Sequence, residues 1–123
     1  MPNANEHLCE MKQIIAYIKP NKLPSVTLAL HGIQDLPGVS FSEVRGFGSD
    51  RTPKTDPALV QDLVDYAPYV RIEIFCPDWL VYEVECTLGH AAYSEQNGNG
   101  RIYVLNVGQA IRIRNVEHSE VAL

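Results

Sequence analysis

The chain is 123 residues long, 46% hydrophobic, with a formal net charge of −5, a size that fits one domain burying about two-thirds of its unfolded surface. The acidic balance excludes a general nucleic-acid binder, because a phosphate backbone needs a basic face. No apolar run approaches the ~18 residues that span a bilayer, and the polar start lacks a signal-peptide core, so a soluble cytoplasmic protein is expected.

Residues 1–10 read as a flexible leader, in which His7 and Cys9 fit a mobile tail better than a metal site. Met11 to Ile18 predicts the first strand, closed by Lys19-Pro20. A helix follows near Pro24, where a fixed φ and a missing N–H do no harm. Val26, Leu30 and Ile33 give it a stripe to bury. Val39 to Phe47 predicts a second strand with Val39 and Phe41 on one face. Residues 48–67 carry Asp50, Arg51, Lys54 and Asp56 without a strong period, the mark of a functional or mobile loop. A short helical turn over 57–65 is compatible with Leu59, Val60, Leu63 and Val64.

Val70 to Cys76 predicts the third strand, with Ile72 and Ile74 on one face. Pro77-Asp78 opens a second helix to about Tyr93, with Leu80, Val84, Leu88 and Ala91 as its buried face. Gly98-Asn99-Gly100-Arg101 then feeds a fourth strand, Arg101 to Val107. Ile111-Arg112-Ile113-Arg114 alternates apolar and basic residues, so an extended segment would send both arginines from one face. The order is βαββαβ, an α+β ferredoxin-like arrangement with an antiparallel sheet and helices on one face. The third and fourth strands are apolar at both parities, which predicts that the second face is covered by oligomerisation.

Glycines two apart let a backbone turn tightly and present N–H groups to an anion, and Arg101 adds a planar fork for phosphate or carboxylate. With Arg112 and Arg114 this pattern fits a phosphate site, though spacing alone favours an ordinary Asn-Gly turn beside a solvated basic edge. The three cysteines, Cys9, Cys76 and Cys86, form no C-x-x-C pair; reduced thiols are expected, with Cys76 and Cys86 in the core. His31, His90 and His118 are equally scattered, no Walker lysine motif is present, and no Ser/His/Asp or Cys/His set has recognisable spacing.

Several of these stretches, in this order, resemble the PII signalling proteins. They are Met11 to Lys19-Pro20, Ser42-Glu43-Val44-Arg45-Gly46-Phe47-Gly48, Arg71-Ile72-Glu73-Ile74, Gly98 to Val104, and Ile111 to Arg114. The resemblance covers residues 11–115 as one domain, with 116–123 as a tail. It implies a trimer of ferredoxin-like subunits with an adenine nucleotide (ATP, ADP or AMP) in each cleft between neighbours. Gly98, Asn99, Gly100 and Arg101 would hold phosphates from one side, joined by Arg112 and Arg114. Gly46, Phe47 and Gly48 would shape the opposite wall, with Ser40 near the adenine and Phe75 against it. Glu73 would be either functional or a paired charge at a subunit contact.

Residues 48–67 would be the partner-reading loop. Against the family pattern, Pro57 stands where nitrogen-regulating members carry a modifiable tyrosine. Asp50 replaces a glutamine used for magnesium and 2-oxoglutarate, and Tyr69 a lysine that clamps that acid. A dianion would be repelled by that exchange, so 2-oxoglutarate sensing is not expected and magnesium stays open. Asp50, Arg51 and Lys54 are candidates for a small-anion effector such as bicarbonate, or for a partner contact. The function expected is a non-enzymatic regulator of a membrane transporter or metabolic enzyme, in inorganic-carbon or nitrogen metabolism. The alternatives are a metal-binding or metal-efflux-associated trimer and a weak nucleotide hydrolase.

Overall fold

The structure, a computed structural model, describes residues 10–46, 67–94, 100–114 and 117–118. The calls on His7, Cys9, Phe47, Gly48, residues 49–66, Gly98 and Asn99 lie outside the described residues. Strands β1 (Met11–Ile18), β2 (Val39–Gly46), β3 (Ala67–Pro77) and β4 (Arg101–Val107) form one antiparallel sheet in the order β2-β3-β1-β4. Helix α1 (Leu23–His31) connects β1 to β2, and α2 (Val81–Ala92) lies between β3 and β4. Backbone pairing ends in a separate two-stranded hairpin, β5 (Ile111–Arg112) with β6 (Glu117–His118). This is the α+β, ferredoxin-like βαββαβ order.

Each helix is entered through one turn of 3-10 helix, at Pro20–Lys22 and at Asp78–Leu80. Pro20 and Pro24 supply first-turn positions whose missing N–H has no helical partner to lose. The turn at Asp78 is fixed because its N–H donates to the Glu10 carbonyl at 2.8 Å.

One layer of apolar side chains joins helices to sheet. Val26 and Leu30 of α1, with Ile33 beyond its end, meet Leu80, Val84, Leu88 and Ala92. Ile14, Ala16 and Ile18 of β1 and Val70, Ile72, Ile74 and Cys76 of β3 complete it from the sheet. Burying such a side chain contributes roughly 1.5–3 kcal/mol, so the inner strands carry much of the driving force. Ala92 rather than Ala91 finishes the α2 stripe, since 84, 88 and 92 keep a four-residue interval.

The outer strands behave differently from the expected pattern. Phe41, expected on a buried face of β2, is 44% exposed. Every residue of β4 except Val107 is classed as exposed, despite the run Ile102 to Leu105. Both strands sit at a sheet edge, beyond the two helices that cover β1 and β3. Cys86 is only half-buried, whereas Cys76 is fully enclosed. The expected alternation over 111–114 also stops early: Ile113 and Arg114 lie in a turn, and Ile113 is 95% exposed.

Candidate functional site

The sheet has one face under the helices and one open face. By register, the open face carries Gln13, Ile15 and Tyr17 of β1, Arg71, Glu73 and Phe75 of β3, Ser40 and Ser42 of β2, and Arg101, Tyr103 and Leu105 of β4. Four of the predicted ligand residues therefore belong to the open side or its rims: Ser40, Gly46, Phe75 and Arg101.

Gly100 enters β4 with φ +109°, a conformation that L side chains rarely adopt. A Cβ at this position would collide with the carbonyl oxygen of Tyr17. The close approach presses the end of the glycine loop onto β1 and fixes where Arg101 begins its strand, opposite Tyr17. Gly100 and Arg101 also border a hollow of about 220 Å³ against Leu88, Gly89 and Tyr93 at the end of α2.

On the other rim, Ser40 is exposed and lies opposite Glu73. Phe75, two residues along β3 on the same face, is 39% exposed and diagonal to Ser40, within reach of a shared planar ligand. Gly46 closes β2 opposite Ala67 and leads to residues 47–66. Glu73 is a paired charge: Gln13 Nε2 donates to its Oε2 at 2.6 Å, and the Arg71 guanidinium is 3.5 Å from the same oxygen. Arg71 shares a strand face with Glu73 by its two-residue spacing, but Gln13 was not visible in the sequence, because strand register brings it across from Phe75 and diagonal to Glu73.

Arg112 is half-buried in β5, opposite Glu117, and Arg114 is exposed in the turn that follows. Tyr69 lines a separate hollow with Pro20, Glu43, Arg45 and Pro68. Among the described residues, no three His, Cys, Asp or Glu side chains gather as a metal cluster. No helix among them is long and apolar enough to cross a membrane.

The site elements thus divide between opposite edges of one sheet. β1 and β3 separate β4 from β2, three strand spacings or roughly 14 Å. Within one protomer the two described groups are separated by the full width of β1 and β3.

The family model described as nitrogen regulatory protein P-II matches residues 11–117. The chain belongs to the P-II family. It is 41% identical over 116 residues to the nitrogen regulatory protein P-II of Rhodobacter capsulatus, covering 92% of this chain and all of that protein. It is 36% identical over 113 residues to P-II 1 of Escherichia coli, again over 92% of this chain and all of the relative. The crystal structure of Arabidopsis thaliana PII bound to citrate superposes with a TM-score of 0.71 at 30% identity, covering 93% of this chain and 92% of that one. The chain is therefore a member of a family of trimeric signal-transduction regulators that act on partner proteins, with the family's ferredoxin-like fold.

Proposed function

We propose that this P-II protein is a non-enzymatic regulator that binds ATP, ADP or AMP between the protomers of a homotrimer. Through residues 48–67 it controls a membrane transporter or metabolic enzyme. The observation that carries the reading is the placement of Gly100-Arg101 and Ser40-Gly46 on opposite rims of one sheet. Two such protomers, brought together through their open faces, set the glycine loop of one beside the β2 rim of the next. Tyr103 and Leu105 supply the apolar surface for that assembly.

In the proposed cleft, Gly100 allows close approach of the backbone, and Arg101 offers a bidentate fork to the phosphates. Phe75 takes the base by stacking, and Ser40 offers its hydroxyl to the base edge. Regulation requires that nucleotide favour one state of residues 48–67 over another, since equal affinity for both shifts nothing. Inorganic-carbon or nitrogen metabolism is the setting proposed, with a small anion such as bicarbonate as the further effector.

Arg101→Ala tests the reading. A hydrogen bond to a charged group contributes roughly 1.5–3 kcal/mol, so calorimetry is expected to show at least about tenfold weaker nucleotide binding, with the trimer intact by sedimentation. Unchanged affinity would remove the site, and a monomeric wild-type protein would remove the cleft.

A further inference from the structure

The solvent side of the helix layer has an unusual composition. Neither α1, nor the Asp78–Leu80 turn, nor α2 contains a lysine or arginine. A helix that faces only water ordinarily carries such charges opposite its apolar stripe. Here Leu28 and Tyr82 are each 77% exposed, Trp79 is 59% exposed, and Tyr93, just past α2, is 61% exposed. Trp79, Tyr82 and Cys86 follow one another at intervals of three and four, so they share one stripe along the helix. The Tyr82 phenol shares a hydrogen bond with the Cys86 thiol, which holds its pKa above the ordinary phenol value. The exposed carboxylates beside it are Asp78 and Glu83, and the exposed imidazole of His90 follows Cys86 four residues on.

Single exposed apolar residues need no explanation. An aromatic stripe flanked by carboxylates is different. Tyrosine and tryptophan bury large areas at little conformational cost, and they dominate the energetics of protein interfaces. This face lies across the sheet from the open face, so assembly through the open face leaves it in water.

We propose that the solvent face of α2, with Leu28 of the neighbouring helix, docks a cationic amphipathic protein segment. Apolar side chains of that segment cover Trp79 and Tyr82, while its lysines or arginines meet Asp78 and Glu83. The same carboxylates repel an anionic lipid surface. This docking does not depend on the nucleotide cleft, and either can fail without the other.

Trp79 is the only tryptophan in the chain, so its fluorescence reports on this surface directly. The full chain is titrated with a synthetic helical peptide of lysine and leucine, with a glutamate/leucine peptide, and with a lysine/serine peptide. A saturable blue shift is expected with lysine/leucine alone, the other two binding about tenfold or more weakly. Tyr82→Ser and Glu83→Lys, both at exposed positions, are each expected to weaken the lysine/leucine peptide at least about fivefold with an unchanged circular dichroism spectrum. Glu43→Lys, on β2, is expected to leave it unchanged. Equal binding of the glutamate/leucine peptide would overturn the proposal. So would an equal loss in Glu43→Lys, which would make the effect one of overall charge. A blue shift on phosphatidylglycerol vesicles exceeding that on the peptide would overturn it in favour of a membrane.

Discussion

β1 and β3 enclose Ile14, Ala16, Ile72, Ile74 and Cys76 entirely, whereas β4, with an equally apolar run, leaves Ile102, Tyr103, Val104 and Leu105 between 37% and 49% exposed. The difference follows from position. An inner strand is paired along both edges and roofed by α1 and α2; an outer strand has one paired edge and little roof. Two helices of nine and twelve residues are too short in number and width to cover four strands. Apolar residues of the inner strands therefore hold the fold, and those of the outer strands remain available to a neighbour. The candidate ligand residues Ser40, Gly46, Gly100 and Arg101 follow the same division, because all of them sit on or at the ends of outer strands.

The contrast is tested most severely in the inner strands. Ile72→Ala removes a fully enclosed side chain facing the helices and is expected to cost about 2–5 kcal/mol in urea unfolding. The loss includes the cavity as well as the transferred methylenes. A cost below about 1 kcal/mol would mean that the inner strands do not dominate stability. Next in size is Leu105→Ser on the open face. If a second protomer covers Leu105, the substitution forfeits roughly 1.5–3 kcal/mol of burial at each contact. Sedimentation should then show dissociation at concentrations where wild type is trimeric, with the fold kept. A trimer as tight as wild type would place the contact elsewhere.

Gly100→Ala probes the junction between frame and site. Its positive φ and the Tyr17 carbonyl leave no room for a methyl group, so the start of β4 must shift. Strain of this kind costs about 1–3 kcal/mol, and displacement of Arg101 is expected to weaken nucleotide binding beyond about tenfold. Thermal unfolding and calorimetry read the two effects separately. Retained affinity with lowered stability would leave Gly100 a purely structural residue.

β1, β3, β4 and both helices were legible in the sequence, the helices from their apolar interval and the strands from their apolar runs. Val26, Leu30, Val84 and Leu88 recur at helical intervals, and Met11 to Ile18 and Arg101 to Val107 match the observed strands in full. What periodicity lacks is the lateral order of strands. Val39 to Gly46 alternates acceptably, yet its rank at the sheet edge leaves Phe41 in water. The basic alternation after Ile111 likewise promised a longer strand than the two residues that pair. Of the candidate site, the glycine loop and Arg101 carried a local chemical signal. Ser40, Gly46 and Phe75 did not, and they entered through the family resemblance alone. The Gln13 partner of Glu73 needed the register of β1 against β3.

Glu73→Gln has the smallest expected effect and draws the boundary between the two classes of strand most finely. Glu73 sits on an inner strand but points to the open face, opposite Ser40 of an outer one. Glutamine keeps the length and one acceptor oxygen for the Gln13 amide, and removes only the charge that meets Arg71 at 3.5 Å. The two side chains are 29% and 26% exposed. An ion pair so reached by water is worth about 0–1 kcal/mol, and the urea midpoint should move accordingly little. Nucleotide affinity is expected to stay within about twofold, because the carboxylate's work is to neutralise Arg71 and hold Gln13 across the strand. A tenfold loss of affinity with unchanged stability would transfer Glu73 from the frame to the site, beside Phe75 on β3.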